Sequence, residues 1–94
     1  MRHHIIVKYT DQVTDKAALA KEIASLFAQA AEIPGVHGAD VCPNVIDRAN
    51  RYDLMIVVRM ERSALPAWDA SDLHHRWKSQ YGHLVAAKTI FDCE

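Results

Sequence analysis

Polar and apolar residues alternate from His3 to Tyr9: His3, Ile5, Val7 and Tyr9 fall on one side, His4, Ile6 and Lys8 on the other. A period of two predicts a strand. After a turn at Asp11-Gln12-Val13 the period changes. Leu19, Ile23, Leu26, Phe27 and Ala30 recur at helical spacing, with Lys16, Lys21, Glu22 and Gln29 largely outside the stripe. This predicts a helix capped by Thr14 and running to about Ala31. Ile33-Pro34-Gly35-Val36 ends it and turns into a second strand, about Val36 to Cys42. A polar loop, PNVIDRANR from Pro43 to Arg51, leads to the clearest strand, Tyr52 to Met60. There Tyr52, Leu54, Ile56, Val58 and Met60 share one row; Met55 and Val57 lie in the other. Ser63 is placed to cap a short helix, Ala64 to Asp69. A last strand covers about Lys88 to Cys93.

Between these lies a segment predicted to be helical from Ser71 to Val85. Ser71 suits the N-cap, and Asp72 suits the positive end of the helix dipole. At about 100° per residue, Leu73, Trp77, Tyr81, Leu84 and Val85 fall on one arc, with His74 inside it. His75 and His83 point away, with Arg76, Ser79 and Gln80. Two readings of His74 follow. It is a core histidine bonded to a backbone carbonyl, or it lines a pocket with a lowered pKa and serves as a base or ligand anchor.

The order β-α-β-β-α-β is the split βαβ pattern of a ferredoxin-like α+β fold, with four antiparallel strands and both helices on one face. Ninety-four residues make one domain, 1–94. The second face of the sheet is also partly apolar, through Met55, Val57 and Ile6. A sheet covered on one side has no need of this. Packing against the sheet of a second copy is the simplest remedy, giving a homodimer with a barrel between the subunits; a monomer with a less polar second face is the rival.

Composition narrows the function. Half the residues are hydrophobic, which excludes disorder, and the net charge of −1 is interspersed, so neither a nucleic-acid nor an anionic-membrane footprint appears. No transmembrane stretch occurs. The opening MRHHIIVKYT has too short an apolar run for a signal peptide, so a cytoplasmic location is expected. Cys42 and Cys93 have no metal spacing and should sit on opposite sheet edges, as free thiols. No metal or cofactor is expected. His74-His75 diverge on a helix, His3-His4 point to opposite sheet faces, and there is no nucleotide loop or Ser-His-Asp spacing.

Several short motifs in this order resemble the Dabb family, the stress-responsive dimeric α/β-barrel domain, along nearly the whole chain. His3-x-x-x-x-Lys8-Tyr9 resembles the family's H-x-x-x-x-K-F start. Ile33-Pro34-Gly35-Val36 matches its I-P-G-V link, and Tyr52-Asp53-Leu54 the start of its third strand. Leu65-x-x-Trp68-x-x-Ser71-x-x-His74 resembles L-x-x-Y-x-x-H-P-x-H, and Ile90-Phe91-Asp92 its closing strand. Ser71-Asp72 replaces the family's histidine and proline. Trp68 stands where a tyrosine is common; its indole donates but cannot accept a proton.

The resemblance implies a pocket between sheet and helices where His3 and His74 meet. In one reading the protein is a cofactor-independent enzyme on a small apolar carbonyl or aromatic, polyketide-like compound. His74 is then the acid/base, His3 orients it or the substrate, and Trp68, Trp77, Tyr81 and Tyr9 form the wall. In the other it is a non-catalytic homodimer that binds a small ligand or serves a stress role. The loop residues Asn44, Asp47, Arg48, Asn50 and Arg51 gate the pocket, contact the second subunit, or are simply solvated.

Overall fold

The computed structural model describes residues 1–94. Strands β1 (Arg2–Tyr9), β2 (Val36–Pro43), β3 (Leu54–Met60) and β4 (Val85–Cys93) form one antiparallel sheet in the order β2-β3-β1-β4. Helices α1 (Lys16–Phe27), α2 (Leu65–Asp69) and α3 (Asp72–Tyr81) pack on one face. This is the ferredoxin-like α+β arrangement that the alternation of patterns predicts. No helix is long and apolar enough to cross a membrane.

The core lies where the two periodicities meet. His3, Ile5, Val7 and Tyr9 of β1 and Leu54, Ile56, Val58 and Met60 of β3 are all buried. They pack against Leu19, Ile23, Leu26 and Phe27 of α1, Trp68 of α2, and Leu73 and Trp77 of α3. The Ile33-Pro34-Gly35-Val36 link is a tight turn: Gly35 has φ +81°, and a Cβ there would stand 2.7 Å from the Cβ of Ala64. Glycine is therefore required on two counts, backbone conformation and space.

Several boundaries differ from the sequence reading. Asp15, not Thr14, caps α1 by accepting from the Ala18 amide at 3.0 Å, and α1 stops at Phe27, with a 3-10 turn over Ala30–Glu32. The third strand begins at Leu54 rather than Tyr52, because the Asp53 carboxylate accepts the Tyr9 amide at 2.7 Å and bends the chain there. Ser63 lies inside a 3-10 turn, Arg62–Ala64, and caps nothing. Ser71 does cap α3, accepting from the His74 amide at 3.1 Å, but the helix ends at Tyr81. Leu84 closes a 3-10 turn and Val85 starts β4.

The sheet face without helices carries Cys42, Met55, Ile6 and Thr89 in one cross-strand row and Asp40, Val57, His4 and Phe91 in the next. Phe91 is 59% exposed. Cys42 and Cys93 lie on the two edge strands as free thiols.

Candidate functional site

His3 is the one buried polar residue of the core. Its place follows from strand pairing. His3 sits opposite Asp92 in the β1–β4 register, and opposed residues share a face. Its Nδ1 lies 2.5 Å from Asp92 Oδ1. A carboxylate can only accept, so Nδ1 carries the proton and donates, which leaves Nε2 as the other reactive atom.

His74 is half-buried rather than a core residue. Its Nδ1–H donates to the Asp69 carbonyl at 3.0 Å, closing the corner between α2 and α3. Neutral His74 therefore presents Nε2 with its lone pair. Burial lowers its pKa below the ordinary 6.5, and the charges of Lys78 and Lys88 act in the same direction; the Asp69 carbonyl and carboxylate oppose them. The carbonyl bond of the first reading and the lowered pKa of the second occur together in His74, which lines none of the four main cavities.

Trp68 joins the two. It is fully buried, with its ring centroid 6.2 Å from that of His3 and 5.2 Å from that of His74. Its indole N–H is buried and has no hydrogen-bond partner. A donor left so costs about 1–3 kcal/mol.

Beside this cluster the helices stop short of β4. Lys88, Ile90 and Asp92 lie on the helix side of the sheet, yet Ile90 is 45% exposed, whereas its β1 neighbour Ile5 is 2% exposed. An open groove results between α3 and β4. Part of it is a cavity of about 250 Å³ lined by Trp77, Lys78, Gly82, Val85 and Lys88.

Of the remaining residues singled out by sequence, Trp77 lines this cavity, while Tyr81 and Tyr9 lie elsewhere. Trp77 packs edge-on against Phe27 (5.6 Å) and beside Tyr81 (5.9 Å). Tyr81 lines a cavity of about 300 Å³ between α1 and α3, with Glu22, Gln29 and Arg76, and burial and the Glu22 charge raise its pKa. Tyr9 stands six residues from His3 along β1, about 20 Å at 3.3 Å per residue. The largest cavity, about 720 Å³, opens there instead, lined by Tyr9, Lys16, Asp53 and the 43–51 loop. Burial alone would raise the Asp53 carboxyl. Hydrogen bonds from Lys16 (2.8 Å) and the Tyr9 amide, with the charges of Lys16 and Lys8, outweigh that and hold its pKa below the usual range.

Asp92 and the Asp69 carbonyl are the site groups the sequence reading missed. The signal for Asp92 was a carboxylate on the strand predicted to pair with His3, but its use requires the register. No cluster of three His, Cys, Asp or Glu side chains is placed to hold a metal ion.

No family model matches the chain, and no curated protein is similar to it in sequence. Its likenesses are structural. A dimeric ferredoxin-like protein of unknown function from Bacteroides fragilis superposes with a TM-score of 0.80 at 13% identity, over 99% of this chain and 93% of that one. A second dimeric ferredoxin-like protein of unknown function, from Thermobifida fusca, gives 0.77 at 18% identity, over 96% and 85%. A hydroxynitrile lyase from Passiflora edulis gives 0.72 at 12% identity, over 96% and 87%. The chain shares the ferredoxin-like fold of these proteins.

Proposed function

We propose that this protein is a Dabb-like homodimer acting as a cofactor-independent acid/base catalyst on a small apolar carbonyl or aromatic compound. One observation carries the reading: two imidazoles pack on the same indole, each with Nδ1 bonded to an oxygen and Nε2 left for a substrate. His74, with its lowered pKa, is neutral at pH 7 and takes a proton. His3, held by Asp92 through Nδ1, orients a donor group of the substrate with its Nε2 lone pair, and His74 gives back the proton it took. A structural neighbour named as a hydroxynitrile lyase supports acid/base chemistry on this fold by analogy. The dimer reading rests on the half-apolar open face and on neighbours described as dimeric. A cytoplasmic location accords with the two free thiols.

The test is histidine NMR with a panel of aromatic aldehydes, hydroxynitriles and polyketide-like compounds, followed by turnover assays on whichever class moves His3 and His74 together. His74→Ala should cut turnover at least about 100-fold while binding persists. Turnover unchanged in both His74→Ala and His3→Gln sinks the proposal. One observation favours the binding-module reading: the largest cavity does not include either histidine. Under that reading, ligand binds and no compound is turned over by the wild type.

A further inference from the structure

The cavity of about 720 Å³ lies at the opposite end of β1 from the histidines, and its lining has an uneven charge balance. Lys8, Lys16, Arg48 and Arg51 face two carboxylates, Asp47 and Asp53. Asp53 is already committed, with Oδ1 to Lys16 and Oδ2 to the Tyr9 amide. Lys8, Arg48 and Arg51 form no ion pair with any carboxylate in the chain. The Lys8 ammonium reaches only the Arg51 carbonyl, at 3.4 Å, and the Arg51 guanidinium donates to the Asn50 side chain at 2.6 Å.

Tyr9 supplies an independent observation. It is 7% exposed, and its hydroxyl is buried with no hydrogen-bond partner. Burial, then the Asp53 charge, push its pKa to about 12, so the phenol stays protonated at any physiological pH. A protonated, partnerless hydroxyl, on a residue that lines the same cavity as these cations, is a donor awaiting an acceptor. The cavity also meets the start of α1 at Lys16 and Ala17, where the Asp15 carboxylate already caps the Ala18 amide, so the helix end adds little to the charge balance. Its volume falls within the roughly 300–1,000 Å³ usual for small-molecule sites.

We propose that this cleft binds a compact organic anion, a carboxylate or a phosphate monoester. Arg48 and Arg51 provide paired N–H donors, Lys8 a point charge and Tyr9 a neutral donor, while Ala17 and Ala20 of α1 border the apolar part of the ligand. This site is separate from the histidine groove and stands whether or not that groove catalyses a reaction.

The experiment is an amide NMR titration of the full chain at low ionic strength, once with inorganic phosphate and once with benzoate. The Tyr9, Ala17 and Ala20 amides should shift saturably with at least one of them. Saturation with phosphate alone identifies a phosphate ligand; with benzoate alone, a carboxylate. In the double variant Arg48→Gln, Arg51→Gln, affinity should fall at least about tenfold, or 1.4 kcal/mol. Both residues lie on the loop outside the core, so the fold survives their change. Tyr9→Phe keeps the ring and should weaken binding several-fold. If neither ion saturates, or the double variant binds as the wild type does, the proposal is overturned.

Discussion

His74 links acidity to stability. Its folded pKa lies below its unfolded value of 6.5, so the unfolded chain binds the extra proton first as pH falls. The stability that neutral His74 contributes is present above pH 6.5 and is lost as pH drops through the folded pKa. Urea unfolding at a series of pH values should show this decline, and His74→Gln should flatten it. An NMR titration placing His74 at or above 6.5 would remove the argument. The residue-level chemistry was only half legible in the sequence. Periodicity put His3 on one row of the first strand and His74 in the apolar arc of the helix; that the two approach each other was implied by the family resemblance. It could not supply Asp92, whose position depends on register, nor the α2–α3 corner that offers the Asp69 carbonyl. Tyr9 shares His3's face, but six residues of extended strand separate the two, and a shared face says nothing about distance along it.

At the scale of elements, α3 and the Gly35 turn carry the clearest expectations. Ser71 caps α3 and donates its hydroxyl to the Trp68 carbonyl at 2.7 Å, so one side chain ties both helices. Ser71→Ala should cost about 1 kcal/mol by denaturant midpoint and broaden the His74 resonance. Gly35→Ala should cost about 2 kcal/mol or more, because alanine pays for positive φ and also meets Ala64; a substitution that leaves the midpoint unchanged would contradict the turn geometry. Element order was legible because the periods of 2 and 3.6 differ strongly. Boundaries were less so. Leu84 and Val85 fit the helical arc as well as they fit a turn and a strand, and only sheet pairing decides between them. Tyr52 fits the strand alternation, but a side-chain bond from a distant part of the chain bends the backbone after it.

For the whole molecule, the open sheet face is the feature to test. Ile6, Met55, Val57 and Phe91 lie in adjacent cross-strand rows on it, and Val45 and Ile46 are exposed on the neighbouring loop. Sedimentation at tens of micromolar should give a dimer, and Phe91→Glu together with Met55→Glu should give a monomer whose melting temperature no longer depends on protein concentration. A wild-type monomer under those conditions would remove the barrel. The same face was visible in the sequence through Ile6, Met55 and Val57. Phe91 was missed as a member because its side of the sheet follows from the register with His4.

The pairing of His3 with Asp92 joins the first strand to the last. During synthesis the imidazole therefore leaves the ribosome long before its carboxylate does. Until β4 emerges, β1 can pair on one edge only, and nothing fixes the His3 tautomer. The His3–Asp92 hydrogen bond and the groove that β4 walls can therefore form only once the last strand is present, however well the helices have formed.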